Sequence, residues 1–241
     1  RPIVVNVCNF AKAPSGQPSL LTFDDARTLF HEMGHALHGL LSDVTHGFVA
    51  GTSVARDFVE LPSQLYEHWL STPEVLGAHA IHARTGAAMP VDLLDRLIAA
   101  RNVDQGFATV EYLASALVDL DFHAGPPPAD PMAAQAATLE RIGMPRAIVM
   151  RHATPHFAHV FAGEGYSSGY YSYMWSEVMD ADAFAAFRET GDVFDAGVAA
   201  RLVETILSRG GSAEAAELYT AFRGRLPGVE ALLEQRGLVA A

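Results

Sequence analysis

Residues 22–41 read TFDDARTLFHEMGHALHGLL, and the centre of this stretch, His31-Glu32-Met33-Gly34-His35, is an H-E-x-x-H motif. On an α-helix, residues four apart lie on one face about 6 Å apart along the axis, so both imidazoles can reach one ion. Zinc takes nitrogen and oxygen ligands in a tetrahedron, and Glu32 can accept a proton from water beside the ion. The motif therefore predicts a site for one Zn²⁺ per chain, with His31 and His35 as ligands and Glu32 as general base.

The motif requires a helix, and its flanking residues predict one over 23–41. Thr22 followed by Asp25 resembles a capping box, and Asp24 adds negative charge at the positive end of the helix dipole. Apolar residues recur at helical spacing and form one broad face: Ala26, Leu29, Phe30, Met33, Leu37, Leu40 and Leu41. His31, His35 and His38 lie on the opposite side. The alternative is an ordinary amphipathic helix that carries surface histidines.

A second helical stretch, DFVELPSQLYEHWL at 57–70, contains a carboxylate in an otherwise apolar segment. Burying a carboxylate is costly unless it is paired or bound to a metal, so Glu60 is the candidate third zinc ligand. A cap for its own helix is the alternative role for Glu60, and Glu67 is the rival ligand. Asp57 either accepts a hydrogen bond from the free nitrogen of a ligating histidine or is an N-cap, and the two roles are equally consistent with the sequence.

The stretch GEGYSSGYYSYMWS at 163–176 concentrates tyrosines behind a glycine-rich loop. Tyr166, Tyr170 and Tyr173 are spaced as one face of a helix. They could pack as an aromatic stripe in a core or present phenols as hydrogen-bond donors to an oxyanion, and composition does not separate these roles. For Tyr171 and Trp175 we expect core packing. Upstream, His152, His156 and His159 repeat the spacing of the first motif without a following glutamate, which favours a substrate-side role for one of them over a second metal site.

Composition excludes several classes of protein. The chain has 241 residues, half of them apolar and 18% charged, which is typical of a globular chain with a large core. The net charge of −12 argues against binding to nucleic acid or to anionic membranes. A single cysteine, Cys8, fits a reducing compartment, and we see no signal peptide and no apolar run of membrane-spanning length. A cytoplasmic location is expected.

The remaining pattern predicts a mainly α fold with a small β element. Residues 2–10 have the β-branched composition of a strand, and 11–19 of a loop. Apolar periodicity predicts further helices over 91–103, 105–122, 132–142, 192–208, 212–222 and 229–236. The chain opens directly into the strand without an initiator Met, and few other strands are available to pair with it. We therefore expect one catalytic domain, 1–241, that is a fragment of a longer protein.

Three stretches carry a resemblance to a known family: LFHEMGHALHGLL, GTSVARDFVELPSQLYEHWL and GEGYSSGYYSYMWSEVMDADAF. Together they resemble the catalytic part of the thimet oligopeptidase family of zinc metallopeptidases, most closely its bacterial peptidyl-dipeptidase branch. The resemblance implies zinc on His31, His35 and Glu60, with Glu32 as general base. It also implies that Tyr173 stabilises the tetrahedral intermediate, that Tyr166 and Tyr170 contact substrate, and that His159 is a catalytic histidine.

The family fold is two-lobed and mostly helical, so the resemblance implies that this chain is the zinc-bearing lobe. The opening strand would pair with substrate backbone beside the metal. The expected partners are short peptides and the missing N-terminal half of the same protein, and the intact protein is expected to be a monomer. The expected activity is release of C-terminal dipeptides. Cleavage of internal bonds in short peptides is the first alternative, and a zinc-binding lobe without activity of its own is the second.

Overall fold

A computed structural model describes residues 2–239, and helices provide nearly all of its regular structure. The mainly α prediction is confirmed. The helices are α1 (Phe23–Leu40), α2 (Arg56–Val59), α3 (Leu61–Leu70), α4 (Pro73–His79), α5 (Val91–Ala100), α6 (Gln105–His123), α7 (Pro131–Arg141), α8 (Ala158–Phe161), α9 (Ser172–Arg188), α10 (Ala196–Leu202), α11 (Ala215–Arg223) and α12 (Glu230–Gln235). A π-helical turn, Val203–Leu207, extends α10. No helix within residues 2–239 has the length and apolarity that crossing a membrane requires.

Helix α1 begins and packs as its sequence requires. Thr22 and Asp25 form a reciprocal capping box, with both hydrogen bonds at 3.0 Å. The helix lies against α3, and its closest approach is at Gly34. A Cβ atom there would lie 2.5 Å from the Pro62 carbonyl oxygen and 2.5 Å from Ser63 Cα. The glycine of the motif therefore lets α3 come close enough to bring its first turn beside the two histidines.

The apolar face of α1 is only partly covered by the described residues. Leu29, Met33 and Leu40 are 42%, 38% and 46% exposed, whereas His38, on the polar side in a helical projection, is fully buried. Burial, reinforced by the charge of His35, lowers the pKa of His38 to about 4. The side of α1 that is most deeply buried is thus not the side that periodicity marks as apolar.

The strand predicted for residues 2–10 is wrong, because the segment adopts no regular secondary structure. A strand needs a neighbour for its N–H and C=O groups, and no part of residues 2–239 lies alongside it as a strand. The β structure of the described chain amounts to one isolated antiparallel bridge between Ile81 and Ala88. The opening segment instead crosses α1, where a Val4 methyl group lies 3.1 Å from the position of a Cβ on Gly39.

Two of the three apolar clusters among the described residues lie beneath elements that carry candidate site residues. The larger is built from α2, α3, α9, α10 and α11 and includes Phe58, Leu61, Leu65, Met179, Phe187, Ile206, Leu218, Tyr219 and Phe222. The smaller contains Val118, Met150, Phe157 and Val160, with Tyr166 and Tyr170 packed on it. Helix α9 packs against α2, α3 and α12 and carries Tyr173 in its first turn.

Candidate active site

His31, His35 and Glu60 converge on one point between α1 and α3. The Nε2 atoms of His31 and His35 lie 3.2 Å and 3.1 Å from the same carboxylate oxygen, Oε2 of Glu60. Glu60 is 6% exposed, and its position at the break between α2 and α3 turns its side chain toward α1. Ser63 Oγ donates to the same oxygen at 3.0 Å, which fixes the carboxylate.

The donor set and its spacing fit a zinc ion. Zinc bound tetrahedrally at 2.0–2.2 Å holds its ligand atoms about 3.3–3.6 Å apart, slightly more than the 3.2 Å and 3.1 Å found here. One ligand atom from each of the three residues can be chosen so that all lie within 4.8 Å of one another. Two imidazole nitrogens and one carboxylate oxygen leave a fourth position open, which is the pattern of catalytic rather than structural zinc sites.

The free nitrogen of His31 is held by Glu67, which corrects the prediction for Asp57. His31 Nδ1 donates to Glu67 Oε1 at 2.7 Å, which leaves Nε2 directed at Glu60. The Asp57 carboxylate instead accepts from the Tyr171 hydroxyl at 2.8 Å. Burial lowers the pKa of His31, but hydrogen bonds and charge from Glu60 and Glu67 outweigh it and raise that pKa to about 9 when no cation lies between the groups.

Glu32 faces a polar cleft of about 860 Å³. The cleft is also lined by His31 and Tyr173, so the candidate base, a candidate ligand and a phenol share one solvent-filled space. Gln64, one turn along α3 from Glu60, donates to the Tyr173 carbonyl oxygen at 3.2 Å. Helix α3 therefore contacts the start of α9 and follows directly on the candidate ligand Glu60.

Tyr173, which lines this cleft, forms an aromatic cluster with His159 and Tyr166. The Tyr173 hydroxyl donates to His159 Nε2 at 3.0 Å, and the Tyr166 and Tyr173 rings stack with centroids 6.0 Å apart. A tyrosine hydroxyl keeps its proton at neutral pH and can donate, and burial together with the neighbouring Tyr166 phenol moves the pKa of Tyr173 further above its ordinary value. Burial lowers the pKa of His159, which favours a neutral ring that can accept this hydrogen bond. The Arg56 guanidinium lies 4.4 Å above the Tyr166 ring.

Tyr170, like Tyr166, packs against the smaller core. Its ring packs at 4.9 Å from Phe157 and 5.5 Å from His159, measured between centroids. The core packing predicted for Tyr171 and Trp175 is wrong, since both are about 40% exposed. Of the tyrosines in this stretch, Tyr173 lines the cleft, and its ring stacks with that of Tyr166.

Several residues that shape the site were not singled out from the sequence. Arg56, Gln64 and Tyr112 carry no local signal, because their importance depends on contacts made across the fold. Asp119 does carry a signal, a carboxylate in the apolar run ASALVDLDF, which is the same feature that identified Glu60. It is fully buried and accepts backbone N–H groups from the tyrosine loop, 163–171.

The described residues therefore define a class of mainly helical proteins with a possible metal site made of two histidines and one glutamate. Comparison with known sequences identifies the family to which the chain belongs within this class. Residues 1–238 match peptidase family M3, and the chain belongs to that family. The family resemblance inferred from the three motif stretches is confirmed.

Individual relatives fall into two groups by name. The chain is 39% identical to a dipeptidyl carboxypeptidase of Salmonella typhimurium and 41% identical to oligopeptidase A of Escherichia coli, each over 99% of its length. It is 38% identical to a probable cytosolic oligopeptidase A of Arabidopsis thaliana over its whole length. The chain spans 35% of the length of each of these relatives.

Proposed function

We propose that this chain is the zinc-bearing catalytic domain of a longer peptidase that hydrolyses short peptides. The observation that carries the proposal is the convergence of His31, His35 and Glu60 on one point, with Glu32 beside it at the wall of a cleft. Membership of peptidase family M3 supports the same activity.

In the proposed reaction each residue has one task. His31, His35 and Glu60 would hold the zinc, which when bound would supply a Lewis acid for the scissile carbonyl. Glu32 takes a proton from the attacking water and passes it to the leaving amine. The hydroxyl of Tyr173 turns from His159 to donate to the oxyanion, and His159 accepts that hydroxyl in the absence of substrate. Tyr166 and Tyr170 are proposed to contact the peptide.

For the mode of cleavage we propose release of C-terminal dipeptides, with cleavage of internal bonds as the alternative. The relatives include both dipeptidyl carboxypeptidase and oligopeptidase A names at similar identity, so the catalytic residues do not separate the two. Cleavage of a matched set of peptides with free and amidated C-termini separates the two modes. A peptidyl-dipeptidase loses most of its activity on the amides, whereas an oligopeptidase cleaves both forms at comparable rates.

The catalytic assignment is tested by two substitutions with opposite effects on metal binding. Glu32→Gln is expected to retain one zinc per chain and to abolish hydrolysis in the full-length protein, because it removes the base and no ligand. Glu60→Ala is expected to lose zinc. Metal analysis and peptide cleavage measure both effects, and full zinc occupancy in Glu60→Ala contradicts the ligand assignment.

The second candidate function is that of a domain that binds zinc but does not hydrolyse peptides on its own. It is supported by the partly exposed apolar face of α1 and by the 35% coverage of relatives. We propose that the remainder of the longer protein packs on this face, and that the intact protein is a cytoplasmic monomer. Cleavage by the 241-residue chain and by the full-length protein, measured at equal zinc content, decides whether this domain suffices.

A further inference from the structure

Asp119, on α6, is a carboxylate with 0% exposure. Its Oδ1 accepts the backbone N–H of Ser168 at 3.0 Å, and its Oδ2 accepts that of Tyr170 at 2.9 Å. His123, one turn later on α6, hydrogen-bonds through Nδ1 to the Asp119 backbone carbonyl oxygen at 2.9 Å, and the same nitrogen lies 2.8 Å from Oδ1. A buried carboxylate is tolerated when it is surrounded by donors in this way, and its hydrogen bonds are charge-assisted.

The loop that Asp119 contacts has little regular secondary structure to stabilise it. Between Phe161 and Ser172 it contains only a 3₁₀ turn, Glu164–Tyr166. Ser168 has a φ of 59°, in the left-handed region that residues with side chains rarely adopt. The N–H of this strained residue is one of the two that Asp119 accepts, so the carboxylate selects a backbone conformation that the loop does not favour alone.

The register of this loop determines where the tyrosines lie. Tyr170 is fixed by Asp119 on its N–H and by the Tyr112 hydroxyl on its carbonyl oxygen, and the rings of Tyr112 and Tyr170 stack at 5.1 Å. The Tyr112 hydroxyl in turn accepts the N–H of Met174 at 3.2 Å, in the first turn of α9. Tyr166 and Tyr173 lie on either side of this fixed point.

We infer that Asp119 is a positioning residue that holds the 163–171 loop in the register that stacks Tyr166 on Tyr173 beside His159. The inference rests on the proposed function for its effect on catalysis, but its structural consequence does not require turnover. Asp119 is more than 40 residues from the loop in sequence and touches it only through backbone N–H groups, so it acts on loop geometry rather than on substrate.

The test compares Asp119→Asn with Asp121→Asn on the same helix. The amide replaces one acceptor oxygen by a donor, so one loop N–H loses its partner. Asp121 is a matched control because its carboxylate is surface-accessible and bonds Thr138 and Arg141, on the side of α7. Hydrogen exchange measured by mass spectrometry reports on the peptide covering 163–171 without any need for activity.

For Asp119→Asn we expect exchange over 163–171 to accelerate at least about tenfold, with exchange in α1 and α3 and zinc affinity unchanged. In the full-length protein kcat is expected to fall about 100-fold, the scale of a 1 Å misplacement of a catalytic group, with a smaller change in KM. Asp121→Asn is expected to show neither effect. If Asp119→Asn does not fold, Asp119→Glu keeps the charge, displaces both oxygens and is expected to show the same loop-limited exchange.

Unchanged exchange over 163–171 overturns the inference, and so does acceleration spread equally over α1, α3 and the loop. If the full-length wild-type protein fails to cleave peptides, the proposed function is contradicted. The exchange measurement over 163–171 then still tests whether Asp119 positions the loop.

Discussion

At the scale of single residues, Glu67 is the side chain whose role changes most between sequence and structure. As a rival ligand it would bind the ion directly, but its carboxylate accepts from His31 Nδ1 and so orients a ligand. Such a partner fixes the tautomer and ring orientation of a ligating histidine. We propose that Glu67 tunes zinc affinity without contacting the ion.

Glu67→Ala is expected to weaken zinc binding about 10- to 100-fold, the range for loss of such a partner, without reducing the number of zinc sites. Competition with a chelator measures the affinity. Asp57→Ala is the matched control, because Asp57 flanks Glu60 on its other side and contacts Tyr171. Equal losses of affinity in the two variants would show that Glu67 has no specific role.

The sequence could identify Glu60 but could not choose between Asp57 and Glu67. Glu60 is recognisable because a carboxylate among apolar residues needs a compensating partner, and its burial is confirmed. Which neighbouring acid faces α1 depends on the break in the backbone at Glu60, where α2 ends and α3 begins. Pro62 makes a kink possible, but its direction is set by packing against α1.

At the scale of elements, the site depends on the close crossing of α1 and α3. The approach is limited by Gly34, whose missing Cβ leaves room for the Pro62–Ser63 backbone. Because backbone cannot yield as a flexible side chain can, even one methyl group here must separate the helices and move Glu60 away from the histidines.

Gly34→Ala is therefore expected to lower the free energy of unfolding by about 1–3 kcal/mol, although alanine favours helices more than glycine does. Urea denaturation of the zinc-free chain measures this, and zinc affinity is expected to fall as well. Gly77→Ala in α4 is the control, since a Cβ there meets nothing within 4 Å. That substitution is expected to stabilise the chain by about 0.5–1 kcal/mol.

Helices were predictable from local periodicity, and the opening strand was not. The predicted helices over 91–103, 105–122 and 132–142 correspond to α5, α6 and α7 within a few residues. A helix satisfies its backbone within its own segment, so local pattern suffices. A strand is completed by a partner elsewhere, and the β-branched composition of residues 2–10 does not supply one.

At the scale of the whole molecule, the described fold buries histidines that are neutral at pH 7. His38 is fully buried, and the folded-state pKa of about 4 lies below the unfolded value of 6.5. Between these values the unfolded chain binds a proton that the folded chain does not. Stability from this residue is therefore present above about pH 6.5 and is lost as the pH falls toward 4.

Over that interval the zinc-free chain is expected to lose about 3 kcal/mol of unfolding free energy through His38, since one pKa unit corresponds to about 1.4 kcal/mol. His38→Gln removes the titrating group, so its stability should depend less steeply on pH. Urea denaturation of both chains from pH 7 to pH 4 gives the two slopes. Parallel slopes would mean that His38 is protonated equally in the folded and unfolded states.

The contact at Gly34 also has a consequence for how this motif can vary. The motif H-E-x-x-H specifies no residue at its two x positions. In this chain the two positions differ, because Met33 is 38% exposed while Gly34 lies against the backbone of α3. Random mutagenesis with selection for the folded, metal-retaining protein would therefore accept many side chains at position 33 and recover glycine at position 34. In this chain, glycine at position 34 is therefore a fourth required residue of the motif, in addition to the two histidines and the glutamate.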